Sequence, residues 1–398
     1  MAAPIRIQQQ RLLLTQVYGT FEGTPVKPLP RDEAGLGSGR KSHQRRYLWT
    51  DAFGVVALVA QARSATTTAA RDAALQAAAA LADETFETLG APGAPLGTHM
   101  TSWTTDDADY DAALALLAPN IGLRIGKSSA NPSGKSDAGM DLDGQYFHYL
   151  DKALFASAVL AEEAGDDAWT RHALRAAAII LGVHKHFTVP GEGVHWKLNT
   201  DATPIRALGP PRPSSDAIFG FIAYKRVNNA LVALGQISRA NQIAQAVEEM
   251  RVLAAKFASS TRWRASSDPL GWGLQCIEAH WLAPDDGGPR DRLVRELDEV
   301  SRWVLSPTHI SLPFRLYGAL IGANVLLSSS SSSSLVPNAI QQAVALTSDG
   351  ALVSRELSCG IGSTPHSAIN KVMLANVLDV SGWCRRDGEA PYSCYCVP

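Results

Sequence analysis

The residues able to do chemistry in this 398-residue chain collect in three places. The densest is Gly122-Leu-Arg124-Ile-Gly-Lys127, then a Ser- and Gly-rich stretch, then Asp141-Leu-Asp143-Gly-Gln-Tyr146-Phe-His148-Tyr149. A second is Arg45-Arg46-Tyr47-Leu-Trp49-Thr-Asp51. The third is Pro213-Ser-Ser-Asp216, which runs into an apolar, aromatic segment holding Phe219, Phe221, Tyr224 and Lys225. Asp141, Asp143 and Asp216 follow long loops and offer the hard oxygen ligands that Mg²⁺ prefers, so they are the candidate metal set. Arg124 and Lys127, flanked by glycine, suit an anion. Arg46, Tyr146, Lys197, Phe221, Tyr224 and Trp272 are the further candidate substrate contacts, and Lys225, Asp216, Asp51 and His148 the candidate catalytic groups.

Each candidate has a plainer explanation beside it. Aspartates at helix starts cap orphan amides and complement the helix dipole. A lysine in an apolar helix either snorkels to an edge or is buried with an anionic partner. His172, His184, His186 and His309 read as surface or core histidines. Asp106-Asp107-Ala-Asp109-Tyr-Asp111 has the spacing of a metal-binding DDxxxD element, but an acidic, solvated helix start is the simpler account.

The formal net charge of −2 gives no electrostatic reason for nucleic acid or an anionic membrane as partner. The longest apolar stretch, near 317–327, is about half of what spans a bilayer. The N-terminal residues lack the apolar run of a secretory signal, which points to a soluble, cytoplasmic protein. Five cysteines are sparse and odd in number, so they read as free thiols and not as a disulfide framework or zinc site.

The elements that position these residues are helices. Helical spacing is expected over 51–62, 67–89, 144–163, 169–185, 216–234, 241–258, 274–282, 290–305, 312–327 and 365–378, with short β pieces only near Val194 to Leu198. Short turns alternate with long Gly- and Pro-rich connections, a rhythm that suits an all-α (α/α)6 toroid with its site at the ring's mouth. A single domain over 1–398 is expected, with an N-terminal extension (1–40), a C-terminal tail (382–398) and a serine-rich linker at 328–334.

The phrases RRYLWTDAFGV (45–55), GLRIGK (122–127), DLDGQYFHYL (141–150) and HWK (195–197) resemble the six-hairpin glycosidase-like family. The resemblance covers most of the chain and implies the (α/α)6 toroid, while leaving the reaction open. Within that group the chain also looks like the atypical fungal sesquiterpene cyclases of the humulene-forming kind. That likeness implies Mg²⁺, farnesyl diphosphate as substrate and an essential lysine, carried here by Lys225, with Phe219, Phe221, Tyr224 and Trp272 enclosing a carbocation. The competing implication is a glycoside hydrolase acting on an oligosaccharide through two of Asp51, Asp141, Asp143 and Asp216. A third is a non-catalytic, ligand-binding ring. An oligomer is compatible with all three.

Overall fold

The computed structural model describes residues 3–19, 47–90, 122–126, 143–164, 167–200, 202–284, 287–306, 312–328, 350–360, 366–385 and 389–392. They form an all-α fold of twelve helices, with two short two-stranded pairings between them. No helix among the described residues is long and apolar enough to cross a membrane. Contacts divide the chain into two compact units: Met1–Glu22, Val56–Ala74 and Phe257–Pro398 form the first, and Gly23–Val55 and Leu75–Lys256 the second.

In the first unit, helix α1 (Ala3–Tyr18) falls inside the segment expected to be an extension, yet it is packed. Leu13 and Leu14 are buried, and the buried Gln10 amide donates to the Ala57 and Ala375 carbonyls. Helix α8 (Pro269–Trp281) starts at Asp268, whose side chain accepts from the Gly271 amide, with proline in the first turn. Helix α9 (Pro289–Val304) buries Leu293, Val294, Leu297 and Val304, spaced as one helical stripe. Helix α10 (Pro313–Leu327) crosses α8 at glycines: a Cβ on Gly322 would stand 2.0 Å from the Gly273 carbonyl oxygen. The backbones meet because neither residue has a side chain.

Helices α11 (Ala351–Ser358) and α12 (Ser367–Leu378) complete this unit. The Tyr317 hydroxyl donates to Glu356 at 2.8 Å, and Lys371 donates to the Glu356 carbonyl, which ties α10, α11 and α12 together. The described part of the expected tail is packed as well. Trp383 is buried and donates to Asn376, its carbonyl accepts from Trp281, and Tyr392 pairs with the end of α8.

Helices α2 (Leu48–Arg63) and α3 (Thr68–Leu89) each contribute residues to both units. The second unit adds α4 (Phe147–Ala164), α5 (Asp167–Phe187), α6 (Asp216–Ala233) and α7 (Ile237–Ala258). Helices α4 and α6 pack closely at Gly220, where an added Cβ would lie 2.7 Å from the Phe147 ring and 2.5 Å from Met250. Helix α4 begins at Phe147, three residues later than the spacing predicts. Gln145 and Tyr146 form β1, an extended pair whose partner is β4 (Lys197–Leu198). Strands β2 (Thr188–Val189) and β3 (Gly193–Val194) make the other antiparallel pair, so the β pieces near 194–198 are observed.

Candidate functional site

Within the second unit, the strand–helix junction at 143–152 gathers most of the chemistry. Strand pairing turns Tyr146 toward Trp196, with ring centroids 5.2 Å apart. The first turn of α4 then adds His148 and Tyr149, and the start of α2 supplies Trp49 and Phe53. Tyr146 stacks on Tyr149 at 5.5 Å, His148 meets Tyr149 edge-on at 4.6 Å, and Trp49 lies 5.2 Å from Tyr149. The Tyr47 and Tyr149 hydroxyls are 2.6 Å apart and hydrogen-bonded. This is a nearly continuous aromatic wall, with the Lys197 ammonium 5.1 Å from the Tyr146 ring centre.

One helical turn along the His148 face of α4 stands an ion pair that the sequence motifs did not single out. Asp151 and Lys152 are 0 % and 1 % exposed, and the ammonium lies 2.8 Å from Asp151 Oδ1 and 3.5 Å above the Phe219 ring centre. Burial pushes the Asp151 carboxyl up to about 7, against the pull of Lys152. Burial also drives His148 down to about 4, opposed by the negative charge of Asp216 and helped by Lys152. It raises the Tyr224 hydroxyl, with Asp151 adding to the effect. Asp151, Lys152, His148, Asp216 and Tyr224 therefore act on one another as one electrostatic group. Asp151 Oδ2 and the Tyr224 hydroxyl are buried with no hydrogen-bond partner among the described residues.

In the sequence the pair interrupts the apolar run of α4 from Leu150 to Val159, as Lys225 interrupts that of α6, but nothing in that pattern tells an interior pair from a solvated one. Lys225 is not the interior lysine: it is half-buried, while its neighbours Tyr224 and Arg226 are fully buried. Its position on α6 turns it to an edge, which is the snorkelling alternative.

The other candidates are placed as follows. Asp51 is buried on the first turn of α2 and accepts from Thr85 at 3.2 Å. Asp143 is buried, salt-bridged to Arg124 at 3.1 Å, and accepts the amides of Gly126 and Gly144 at 3.1 and 3.0 Å. Arg124 also donates to the Gly90 carbonyl, so this pair pins loop to loop. Asp216 is half-buried on the first turn of α6, and Phe221 is buried on the same helix. Trp272 belongs to the first unit, where it is buried and donates to the Leu297 carbonyl at 3.0 Å. Arg46, Lys127 and Asp141, with the Asp106–Asp111 run and His309, lie outside the described residues.

The donors expected to hold Mg²⁺ thus reduce, among the described residues, to Asp143 and Asp216. Asp143 has both oxygens engaged by a guanidinium and two amides. No group of three His, Cys, Asp or Glu side chains suited to a metal occurs among the described residues. Elsewhere in this unit, His184 on α5 bonds Glu249 at 2.9 Å beside a cavity of about 300 Å³ and lies 5.7 Å from the Tyr224 ring. Cys276, Cys359 and Cys384 are free thiols.

No protein-family model matches the chain, and no curated protein matches it.

Proposed function

We propose that the chain is a carbon–oxygen lyase that ionises and cyclises a prenyl diphosphate of the farnesyl kind, with its chemistry at the Asp151–Lys152 pair of the second unit. The observation that supports this most is the Lys152 ammonium, buried between a carboxylate and an aromatic face beside a wall of Trp49, Tyr146 and Tyr149. In such a reaction the allylic C–O bond breaks and its electron pair leaves with the diphosphate. Fixed positive charge at Lys152 and Lys197 favours that departure in a low-dielectric setting. The allylic cation is then attacked by a double bond of the same chain, and aromatic faces stabilise the migrating charge. A carboxyl poised near neutrality, as Asp151 is, accepts the proton that ends the sequence. Lys152 takes the part that the family resemblance assigns to Lys225.

The (α/α)6 ring belongs to this proposal, as does Mg²⁺. Since Asp143 is occupied by Arg124, no step here is routed through the metal.

A second function, glycoside hydrolysis, is favoured by one observation. Asp151 and Asp216 are two carboxyl groups in electrostatic contact, one of them raised to about 7, as an acid–base pair requires. The two separate in one assay. Purified protein given farnesyl diphosphate, with and without Mg²⁺, should release a hydrocarbon, lost in Lys152→Met and retained in Lys225→Met. Cleavage of an aryl glycoside without any hydrocarbon would transfer the site to hydrolysis, and neither product would overturn both.

A further inference from the structure

The contact between α4 and α6 carries a run of side chains that the proposed chemistry does not use. Lys152, Phe155 and Glu162 are spaced three and then seven residues apart on α4, which puts them on one helical face. Phe219 and Arg226, seven apart on α6, make the opposing stripe. The five alternate between the helices. The Lys152 ammonium lies 3.5 Å above the Phe219 ring centre, and the Phe219 and Phe155 centroids are 5.8 Å apart with their planes tilted by 56°. The Arg226 guanidinium lies 6.0 Å from the Phe155 ring centre and is paired with Glu162. Phe155, Phe219 and Arg226 are 0 %, 1 % and 0 % exposed, so water screens none of these contacts.

Helix geometry explains why such a stack is needed. Neighbouring residues point about 100° apart around a helix, so Asp151 does not by itself hold the Lys152 side chain. Asp151 Oδ1 is the one hydrogen-bond acceptor of that ammonium among the described residues. A lysine stem also has many rotamers to lose on burial. The negative face of the Phe219 ring supplies a second attraction, strongest where water is excluded. Phe219 packs in turn on Phe155, whose own ring carries the Arg226 cation, and Glu162 fixes that cation.

The geometry assigns Phe219 a positioning role: its ring face seats the Lys152 ammonium on Asp151, and Arg226, held by Glu162 and acting through Phe155, keeps that ring in place. This role rests on the reading that the Asp151–Lys152 pair is the reactive centre. A lysine seated in this way presents its charge at one point, as preorganised stabilisation of a leaving anion requires.

Fluorination tests the ring face while keeping the shape of the ring. Phe219 is replaced in the full chain by its mono-, tri- and pentafluoro analogues, and each chain is methylated with formaldehyde and a borane reductant. Mass spectrometry gives the rate at Lys152 beside two internal references: Lys371, buried against the Glu356 carbonyl, and the half-buried Lys225. Labelling of Lys152 requires the seat to open. Its rate should therefore rise stepwise with fluorination, about threefold or more at the pentafluoro ring, with both references unchanged. Glu162→Leu combined with Arg226→Met exchanges the ion pair for apolar groups, a change that buried pairs commonly tolerate, and should also raise the Lys152 rate. Arg226→Lys, which keeps a cation on Phe155, should hold it at the native value. A Lys152 rate that is equal along the fluorine series, or that rises together with Lys371, would overturn the role of Phe219. A native rate in the double variant would remove Arg226 from it. With farnesyl diphosphate as substrate, kcat should fall along the same series at constant KM. Graded labelling without hydrocarbon from any chain would remove the lyase and keep the seat, whereas hydrocarbon at an undiminished kcat with a flat labelling series would do the reverse.

Discussion

Lys152 and Asp151 make their own stability prediction. In the folded chain the Asp151 carboxyl holds its proton up to about 7, above its unfolded value, so its contribution to stability declines as pH rises from about 4 to about 7 and is level above that. Lys152 is what keeps the value from rising further. Lys152→Met leaves an unpaired buried carboxylate, a loss of about 3–5 kcal/mol where it is ionised and less where it is protonated. Denaturant melts between pH 7 and 8, below the ionisation of the unfolded thiols, should therefore change little for the native chain and fall steadily for Lys152→Met. This window lies above the titration of His148, which is depressed to about 4 and whose stabilising share is already complete there. A variant whose loss is independent of pH would show that Asp151 is not the group left unpaired. Asp143 gives a second test, because its three accepted hydrogen bonds hold the 124–126 strand of chain against 143–144. Asp143→Ala should lower stability by about 2–4 kcal/mol by removing the shared acceptor of one guanidinium N–H and two amides. If hydrocarbon is formed, its Mg²⁺ dependence should persist in that variant. Loss of Mg²⁺ dependence with an unchanged melting temperature would make Asp143 a metal ligand after all. The aromatic and ionisable character of this site was legible in residues 143–149 because those types are rare together. The ion pair two residues on was not, because two opposite charges side by side in a helix normally lie on its solvated face, and only packing against Phe219 shows them to be interior.

Helix–helix approach is governed by a few small residues whose role composition cannot reveal. At the α8–α10 crossing, Gly273, Gly318 and Gly322 let backbone rest on backbone; an added Cβ at Gly273 would sit 2.1 Å from the Gly318 carbonyl oxygen. Gly322→Ala should destabilise the chain by about 1–3 kcal/mol or more through forced separation of two buried helices. Gly360→Ala, with nothing within 4 Å of its added Cβ, should stay within about 0.5 kcal/mol of the native chain. Equal melting temperatures for the two variants would mean that the crossing relaxes freely. Most helices were legible from apolar spacing, since α3, α6, α9 and α10 begin and end within a residue or two of the expected limits. Two escaped. Helix α1 buries Leu13 and Leu14 behind a polar run of glutamines that masks its apolar face. Helix α11 has only eight residues, too few to show a period, and owes its place to the Glu356 contacts with Tyr317 and Lys371.

The two compact units raise the question of whether the chain unfolds in one step or two. A division by contacts would ordinarily favour two transitions, since units with separate cores can melt independently. Continuity of the helices argues otherwise. Residues 48–55 of α2 belong to the second unit and 56–63 to the first, and α3 divides between 74 and 75. Unfolding either unit thus strips one end from each helix, leaving segments of seven to fifteen residues that water does not sustain as helix without packing. Breaking α2 at the boundary also frees backbone carbonyls and amides in a segment where every residue from Leu48 to Ala62 is buried. The cost of an intermediate with one unit melted therefore includes two broken helices besides its exposed core. Calorimetry should show a single transition with the van't Hoff and calorimetric enthalpies equal. Tryptophan fluorescence supplies the local check, because Trp263, Trp272, Trp281 and Trp383 are buried in the first unit, whereas Trp49 and Trp196 stand at the aromatic wall of the second. Replacing Trp49 and Trp196 by phenylalanine leaves a signal dominated by the first unit, and its midpoint should coincide with that of helix loss followed by circular dichroism. Two resolved peaks, or a fluorescence midpoint displaced from the helical one, would mean that α2 and α3 can break at the boundary and that the units fold as separate bodies.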